Sequence, residues 1–281
     1  MTLSTALSFN TLLFLLGLVI GSFLNVIGSR YRAGGGLFNR GVIGGRSRCP
    51  NCREQLSWYE LLPLVSFFWQ RGRCRHCQKL ISFQYPIIEI LSGLALLLPY
   101  YFYNYYRLYQ FSATLVGVWL LAALAMILLA LIDWRLRIIP DQLVIFLAAL
   151  GLIAAFLQSG SFLRNYAELV PAFDNQLVNH LLAGAVGFLF FGLIIALSSG
   201  RAMGIGDMKL AGALGLLLGW PDIVLAIALA FVVGAVWGVL LLILKKKSLK
   251  AQVPFGPFLV AGFWLVVFFG HRLVDWYFSL F

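Results

Sequence analysis

The sequence predicts an all-α polytopic membrane protein with about eight transmembrane helices and one long loop after the first. Three observations carry this. Hydrophobic residues make up 62% of the 281 residues and charged residues only 11%, against about 25% charged and about 45–50% apolar in a soluble domain. The chain therefore lacks the polar surface to cover itself in water. Its apolar residues gather in runs of roughly 20, enough to cross about 30 Å of hydrocarbon. Its basic residues are also confined, with 18 of the 21 Lys and Arg in four connecting loops, which the positive-inside rule assigns to the cytoplasm. The net charge of +11 thus marks loops, and no nucleic-acid partner is expected.

The first span, 8–28, is followed by its first basic residue only at Arg30. It lacks the positive flank of a cleavable signal peptide and reads as a retained helix. Loop 29–85 then carries ten Lys and Arg. The remaining spans are expected at 86–106, 111–131, 141–158, 178–198, 207–220, 222–244 and 255–278. Arg135 and Arg137 mark the turn after the third, Arg201 and Lys209 the turn after the fifth. Lys245, Lys246, Lys247 and Lys250 mark the turn after the seventh. The sixth span is short, and Trp220-Pro221-Asp222 is a tight turn into the seventh. An even count leaves both termini outside the cytoplasm. The expected division is 1–28, a first membrane helix; 29–85, a cytoplasmic loop; and 86–281, a seven-helix membrane domain.

The loop opens with AGGGLFNRGVIGG, a flexible linker. With no strand before it and no helix after it, the glycine run is not a dinucleotide fingerprint. All four cysteines follow, as CPNC (Cys49, Cys52) and CRHC (Cys74, Cys77), 21 residues apart. Two Cys-x2-Cys pairs can each supply one edge of a tetrahedron, so the set reads as a structural Zn2+ site closed to water. Two disulfides are the alternative, disfavoured in a reducing compartment. His76, inside the second pair, either stands in for a cysteine or is simply exposed.

Of the ten acidic residues, Glu168, Asp174, Asp222 and Asp275 fall at external loops or ends. Glu54 and Glu60 lie in the cysteine loop, and Asp141 reads as a charge at a helix N-terminus. Glu89, Asp133 and Asp207 remain, each at membrane depth, where an ionisable group is costly and is by default a functional hypothesis. Asp133, in LIDWRLRIIPD, has a structural alternative as an edge charge paired with Arg135 or Arg137. Asp207, in GIGD, could cap the sixth helix. Both fall on the same side at the same depth, which points to a pair. Two close carboxylates cannot both ionise cheaply. One can take a proton from a water held between them while the other donates its own, the chemistry of an aspartyl protease. Gly204 and Gly206 would let the backbone unwind and admit another chain without a Cβ in the way. Such backbone is tolerated at this depth only where it lines a cavity. Lys209 either holds substrate or lipid phosphate, or snorkels. His76, His180 and His271 fall in different compartments, so no Ser-His or Cys-His site competes.

Taken in order, these residues resemble the bacterial type IV prepilin peptidases, the leader peptidase/N-methyltransferases of the GxGD aspartyl protease type. GSFLNV (Gly21–Val26) is similar to the family's opening motif. The four cysteines are similar to its zinc loop, SWYELLPLVSF (Ser57–Phe67) to the segment between the pairs, and QYPIIE (Gln84–Glu89) to the start of the second span. LIDWRLRIIPD and GIGDMKL match the two aspartate motifs, and VPFGP (Val253–Pro257) the segment opening the last span. The resemblance implies eight spans in the bacterial inner membrane and catalysis by Asp133 and Asp207. It implies cleavage of prepilins and pseudopilins on the cytoplasmic face, as in type IV pilus and type II secretion systems. It also implies methylation of the new N-terminus with S-adenosylmethionine. Asn25 and Glu89 are candidates to line that cofactor's site, with helix–helix hydrogen bonding as the alternative.

Two other classes share some of these features. A proton-coupled transporter would also hold intramembrane aspartates, but at the midplane and within repeated halves. A zinc-loop membrane scaffold would leave both aspartates structural, so that Asp207→Asn is silent. Beyond substrate, the expected partner is membrane lipid.

Overall fold

The computed structural model describes residues 3–37, 39–99, 113–157, 175–244 and 253–280. The end of the second expected span and the lysine-rich turn after the seventh lie outside the described residues. Those described form helices and no β-strand, with only two isolated bridges. The chain divides into two compact units, Met1–Leu131 and Ile132–Phe281.

In the first unit, α1 (Leu3–Arg30) is followed by the short α2 (Arg40–Ile43), a 3-10 turn (Trp58–Leu61), the one-turn α3 (Val65–Trp69) and α4 (Gln84–Ala95). Helices α1 and α4 pack closely because small residues face each other, as in membrane helix pairs. A Cβ on Gly17 would lie 2.5 Å from the Ser92 carbonyl oxygen, and one on Gly21 only 2.7 Å from the Glu89 Cα. The pair is tied at its other end by Asn25, whose amide donates to the Tyr85 carbonyl at 3.1 Å.

Helix α5 (Ala113–Leu136) runs from the first unit into the second. Trp119, Ala122, Met126 and Leu129 are buried at 3-4-3 spacing, the stripe of an inward helix face. Four residues further the same stripe reaches Asp133, also buried. The second unit continues with α6 (Asp141–Leu157), α7 (Gln176–Leu197), α8 (Ile205–Leu218), α9 (Asp222–Ile243) and α10 (Gly256–Phe278). Helix α7 is capped by Asn175, which accepts from the Leu177 and Val178 amides. The expected turn at Trp220 is fastened by Asn179, whose amide both donates to and accepts from the Trp220 backbone, at 3.0 and 2.8 Å.

Five described helices are long and apolar enough to cross a membrane: Ser8–Arg30, Thr114–Leu136, Gln176–Leu197, Asp222–Ile243 and Gly256–Phe278. The expectation of eight is met only to that extent. The fourth expected span is the 17-residue α6. The sixth is the 14-residue α8, which at 1.5 Å per residue is about 21 Å long, short of the hydrocarbon thickness.

Candidate active site and metal centre

Both expected catalytic aspartates lie in the second unit, at the ends of helices. Asp133 sits three residues before the end of α5, only 4% exposed. The chain leaves α5 through Arg137, which takes the left-handed conformation (φ 55°) and donates its N–H to the Asp133 carbonyl. Ile138-Ile139-Pro140 then leads straight into α6. The Asp133 carboxylate is held not by a neighbouring arginine but by the Gly256 N–H, 123 residues away, at 3.0 Å on Oδ2. Gly256 is the first residue of α10, where backbone N–H groups have no helical partner and favour negative charge.

Asp207 has the matching arrangement on α8. Gly204 is the N-cap in extended conformation, and Asp207 stands three residues on, accepting the Gly204 N–H on Oδ2 at 3.3 Å. It is therefore the first-turn carboxylate of the cap and not the cap residue itself. Each aspartate thus sits at a helix N-terminus, Asp207 on its own and Asp133 on that of α10.

Ile139 joins the two halves. A Cβ on Gly206 would lie 3.0 Å from the Ile139 Cβ, and one on Gly256 would lie 3.4 Å from the Ile139 Cδ1. The backbone at Gly206 is already helical, so it does not unwind as expected. What glycine provides there is close approach: the Asp207 helix can lie directly against the segment leaving Asp133. At Gly256 the demand is stronger, since a Cβ would sit 2.6 Å from Asp133 Oδ2. Sequence reasoning assigned no role to Ile139 or Gly256. Both lie inside segments already singled out, LIDWRLRIIPD and VPFGP.

Lys209, one turn into α8, forms an ion pair with Asp141 at 2.8 Å. This fastens α8 to the start of α6 and occupies the lysine expected to hold substrate or lipid. The pair lies at the rim of a cavity of about 720 Å³ between α6, α7 and α8, whose other walls are apolar and include Val144, Gly184, Phe188 and Leu216. Neither Asp133 nor Asp207 lines it.

In the first unit the four cysteines converge. Their Sγ atoms all lie within 4.8 Å of one another, with Cys49 and Cys77 3.9 Å apart, and all four thiols are free. Tetrahedral zinc with bonds of about 2.3 Å places sulfurs about 3.8 Å apart, so the cluster fits a metal ion of that kind. The two halves are built alike. The Cys49 N–H donates to the Glu54 carbonyl and the Cys74 N–H to the Lys79 carbonyl. The residue after each second cysteine, Arg53 or Gln78, is left-handed, with φ 61° and 58°. The Lys79 backbone N–H and the Asn51 amide stabilise the Cys77 thiolate, lowering its pKa to about 6. His76 is not among the converging ligands; its ring lies 4.0 Å from the buried Glu60.

Asn25 and Glu89 are nearly fully buried, at 1% and 6% exposure. The Asn25 amide is engaged with Tyr85, and Glu89 Oε2 accepts the Leu64 N–H at 2.8 Å. These bonds tie α1 to α4 and α4 to the loop. Asn25 Oδ1 is buried with no hydrogen-bond partner among the described residues.

Residues 15–103 match the Bacterial Peptidase A24 N-terminal domain, and residues 120–239 match the Type IV leader peptidase family. Curated proteins named prepilin leader peptidase/N-methyltransferase are similar along almost the whole chain. That of Stutzerimonas stutzeri is 33% identical, covering 98% of this chain and 95% of its own. That of Aeromonas hydrophila is 32% identical, covering 96% and 94%. That of Bacillus subtilis (strain 168) is 30% identical, covering 96% and 98%. No solved structure matches.

Proposed function

The chain belongs to the Type IV leader peptidase family, and from that premise we propose that it removes the leader peptide of type IV prepilins and pseudopilins by an aspartate pair, Asp133 and Asp207. The reading places it in the bacterial inner membrane with both termini outside and the site facing the cytoplasm. The observation that supports it is that each carboxylate is held at a helix N-terminus by one backbone N–H, and that Gly206, beside Asp207, and Gly256, the donor to Asp133, both lie against Ile139.

Those N–H bonds occupy Oδ2 on each aspartate and leave Oδ1 to a shared water. The charged aspartate takes a proton from the water as its oxygen attacks the scissile carbonyl carbon. The protonated aspartate gives its proton to the carbonyl oxygen. Collapse of the tetrahedral intermediate breaks the C–N bond, and the proton taken from water passes to the leaving amine. The fixed N–H groups orient both carboxylates before substrate arrives, so no reorganisation is needed at the moment of reaction.

The four cysteines hold Zn2+ on this reading, and the ion ties the two similar turns of the loop into one unit. Methylation of the new N-terminus with S-adenosylmethionine is part of the proposal. Asn25 and Glu89 stay candidates to line its site, and no step is assigned to them.

The test is co-expression of a prepilin with wild type, Asp133→Asn and Asp207→Asn, recording the mass of the product's N-terminus. Each variant should fold and lose cleavage by about 10³-fold or more. Wild-type product should carry one added methyl group. Folded variants that still cut would refute the mechanism.

A further inference from the structure

The loop between α1 and α4 presents an exposed apolar face that the proposed chemistry does not use. Val65, Phe68 and Trp69 follow i, i+3, i+4 spacing on α3 and are 56%, 71% and 84% exposed. Residues so spaced share one side of a helix. Phe67, on the same turn, packs on Phe83 with ring centroids 5.4 Å apart. Phe83 is the residue before α4 and is itself 72% exposed. From Phe83 the exposed apolar surface continues along α4 through Ile87, Ile90, Leu91 and Leu94. In a helix entering a bilayer, that stripe faces lipid. The face of α3 is thus continuous with the lipid-facing side of α4.

Depth is fixed by a second, independent contact. The Leu64 N–H at the start of α3 donates to Glu89 Oε2, and Glu89 lies on α4 opposite Gly21 of α1. Gly21 is nine residues before the end of α1 at Arg30, about 13 Å back along a helix axis. That helix is one of the candidate spans. The start of α3 is therefore drawn below the level where α1 ends. The flank has matching charge. Arg71, Arg73, Arg75 and Lys79 are all exposed, and residues 64–83 contain no acidic side chain.

We infer that α3 and Phe83 form an interfacial anchor that lies in the headgroup–acyl boundary of the bilayer, with the basic residues after it against anionic lipid headgroups. Exposed Trp and Phe beside Arg and Lys fit such a boundary. The occupant is the lipid surface itself, and the anchor fixes the cysteine loop against the membrane.

The full-length protein is placed in nanodiscs of phosphatidylcholine and phosphatidylglycerol. The signal of Trp69 is the difference in emission between wild type and Trp69→Phe, a change that removes no packed side chain. Lipids brominated near the headgroup should quench that difference at least about twofold, and aqueous iodide should leave it nearly untouched. Strong iodide quenching without lipid quenching would overturn the inference. Protection from both quenchers would overturn it too, since protein would then cover the face. Hydrogen exchange of residues 64–72 gives a readout that does not depend on tryptophan. It should be slower in nanodiscs than in detergent for wild type, and Phe68→Glu should abolish the difference.

Discussion

Gly256→Ala puts the proposed site to its sharpest test, because one methyl group lands on one catalytic oxygen. The new Cβ would sit 2.6 Å from Asp133 Oδ2, and contacts of this type stay beyond 3.0 Å. The oxygen must therefore retreat by 0.4 Å at the least, and by about twice that for ordinary contact. A misplacement of about 1 Å in a catalytic group costs about 10²-fold. The retreat also stretches the 3.0 Å bond from the Gly256 N–H, and a hydrogen bond to a charged group is worth about 1.5–3 kcal/mol. Losing part of it gives about another tenfold at 1.36 kcal/mol per decade. Together kcat/KM should fall by roughly 10²- to 10³-fold. Stability should change much less. The atom displaced is the free end of a side chain, and alanine is a better helix former than glycine. The assay is cleavage of a prepilin by purified enzyme, with thermal unfolding in detergent run alongside. A Gly256→Ala enzyme that is folded and cuts within about threefold of wild type would refute the placement of Asp133 on the α10 N-terminus.

Three further outcomes are expected. After metal removal, iodoacetamide at pH 7.5 should label Cys77 before Cys52, because the Lys79 N–H and Asn51 amide lower Cys77 to about 6 whereas desolvation and the neighbouring cysteines push Cys52 up to about 11. Since the depressed Cys77 pKa favours the thiolate above about 6, its labelling should slow as pH falls through that value. Peptide mass mapping checks the order, and equal labelling of the two would contradict it. Glu89→Ala should lower stability by about 1–3 kcal/mol by stranding the Leu64 N–H, while Glu89→Gln, which keeps an acceptor oxygen, should cost less. Loss of methylation at unchanged melting temperature would instead make Glu89 a cofactor residue. Lys209→Gln and Asp141→Asn, combined in a double-mutant cycle, should couple by no more than about 1 kcal/mol, since both side chains are half exposed and screened by water. A coupling several times larger would mean the pair is buried.

The parts legible in the sequence were those whose signal is local. Four cysteines at two fixed spacings cannot serve many purposes, and their sulfurs do converge. An aspartate closing a 3-4-3-4 apolar stripe, as Asp133 does, stands out against its own helix. GIGD announces a helix start because glycine followed three residues later by an acid is cap chemistry. The illegible parts were pairings between distant segments. Asp133 has arginines two and four residues away, so sequence proximity suggested an ion pair, yet its bond is to a backbone N–H 123 residues on. Lys209 finds Asp141 68 residues earlier, and nothing in either segment names the other. Hydropathy pointed to eight spans, but five described helices are long and apolar enough to cross a membrane, because helix length is not legible in composition. A 14-residue α8 between Gly204 and Gly219 looks like a span when only its composition is counted.

The position of the aspartates along their helices bears on which membrane chemistry they serve. A proton-coupled transporter needs its carboxylates near the midplane, where each can be exposed to either side in turn. In a 23-residue span such as Thr114–Leu136, the middle lies about eleven residues from each end. Asp133 stands three from the end, and Asp207 is the third residue of α8. Both sit within about 5 Å of a helix terminus along the axis. On the proposed reading, a carboxylate there would meet an extended peptide arriving from one side. It also borrows backbone N–H groups that a helix centre cannot supply, because those are already bonded. The scaffold reading meets a different difficulty. A carboxylate that served only structure has one visible task, to accept the Gly256 N–H, and an isosteric amide oxygen can do that as well. Asp133→Asn should therefore melt close to wild type while abolishing cleavage. A variant that loses stability and keeps cutting would return the site to structure.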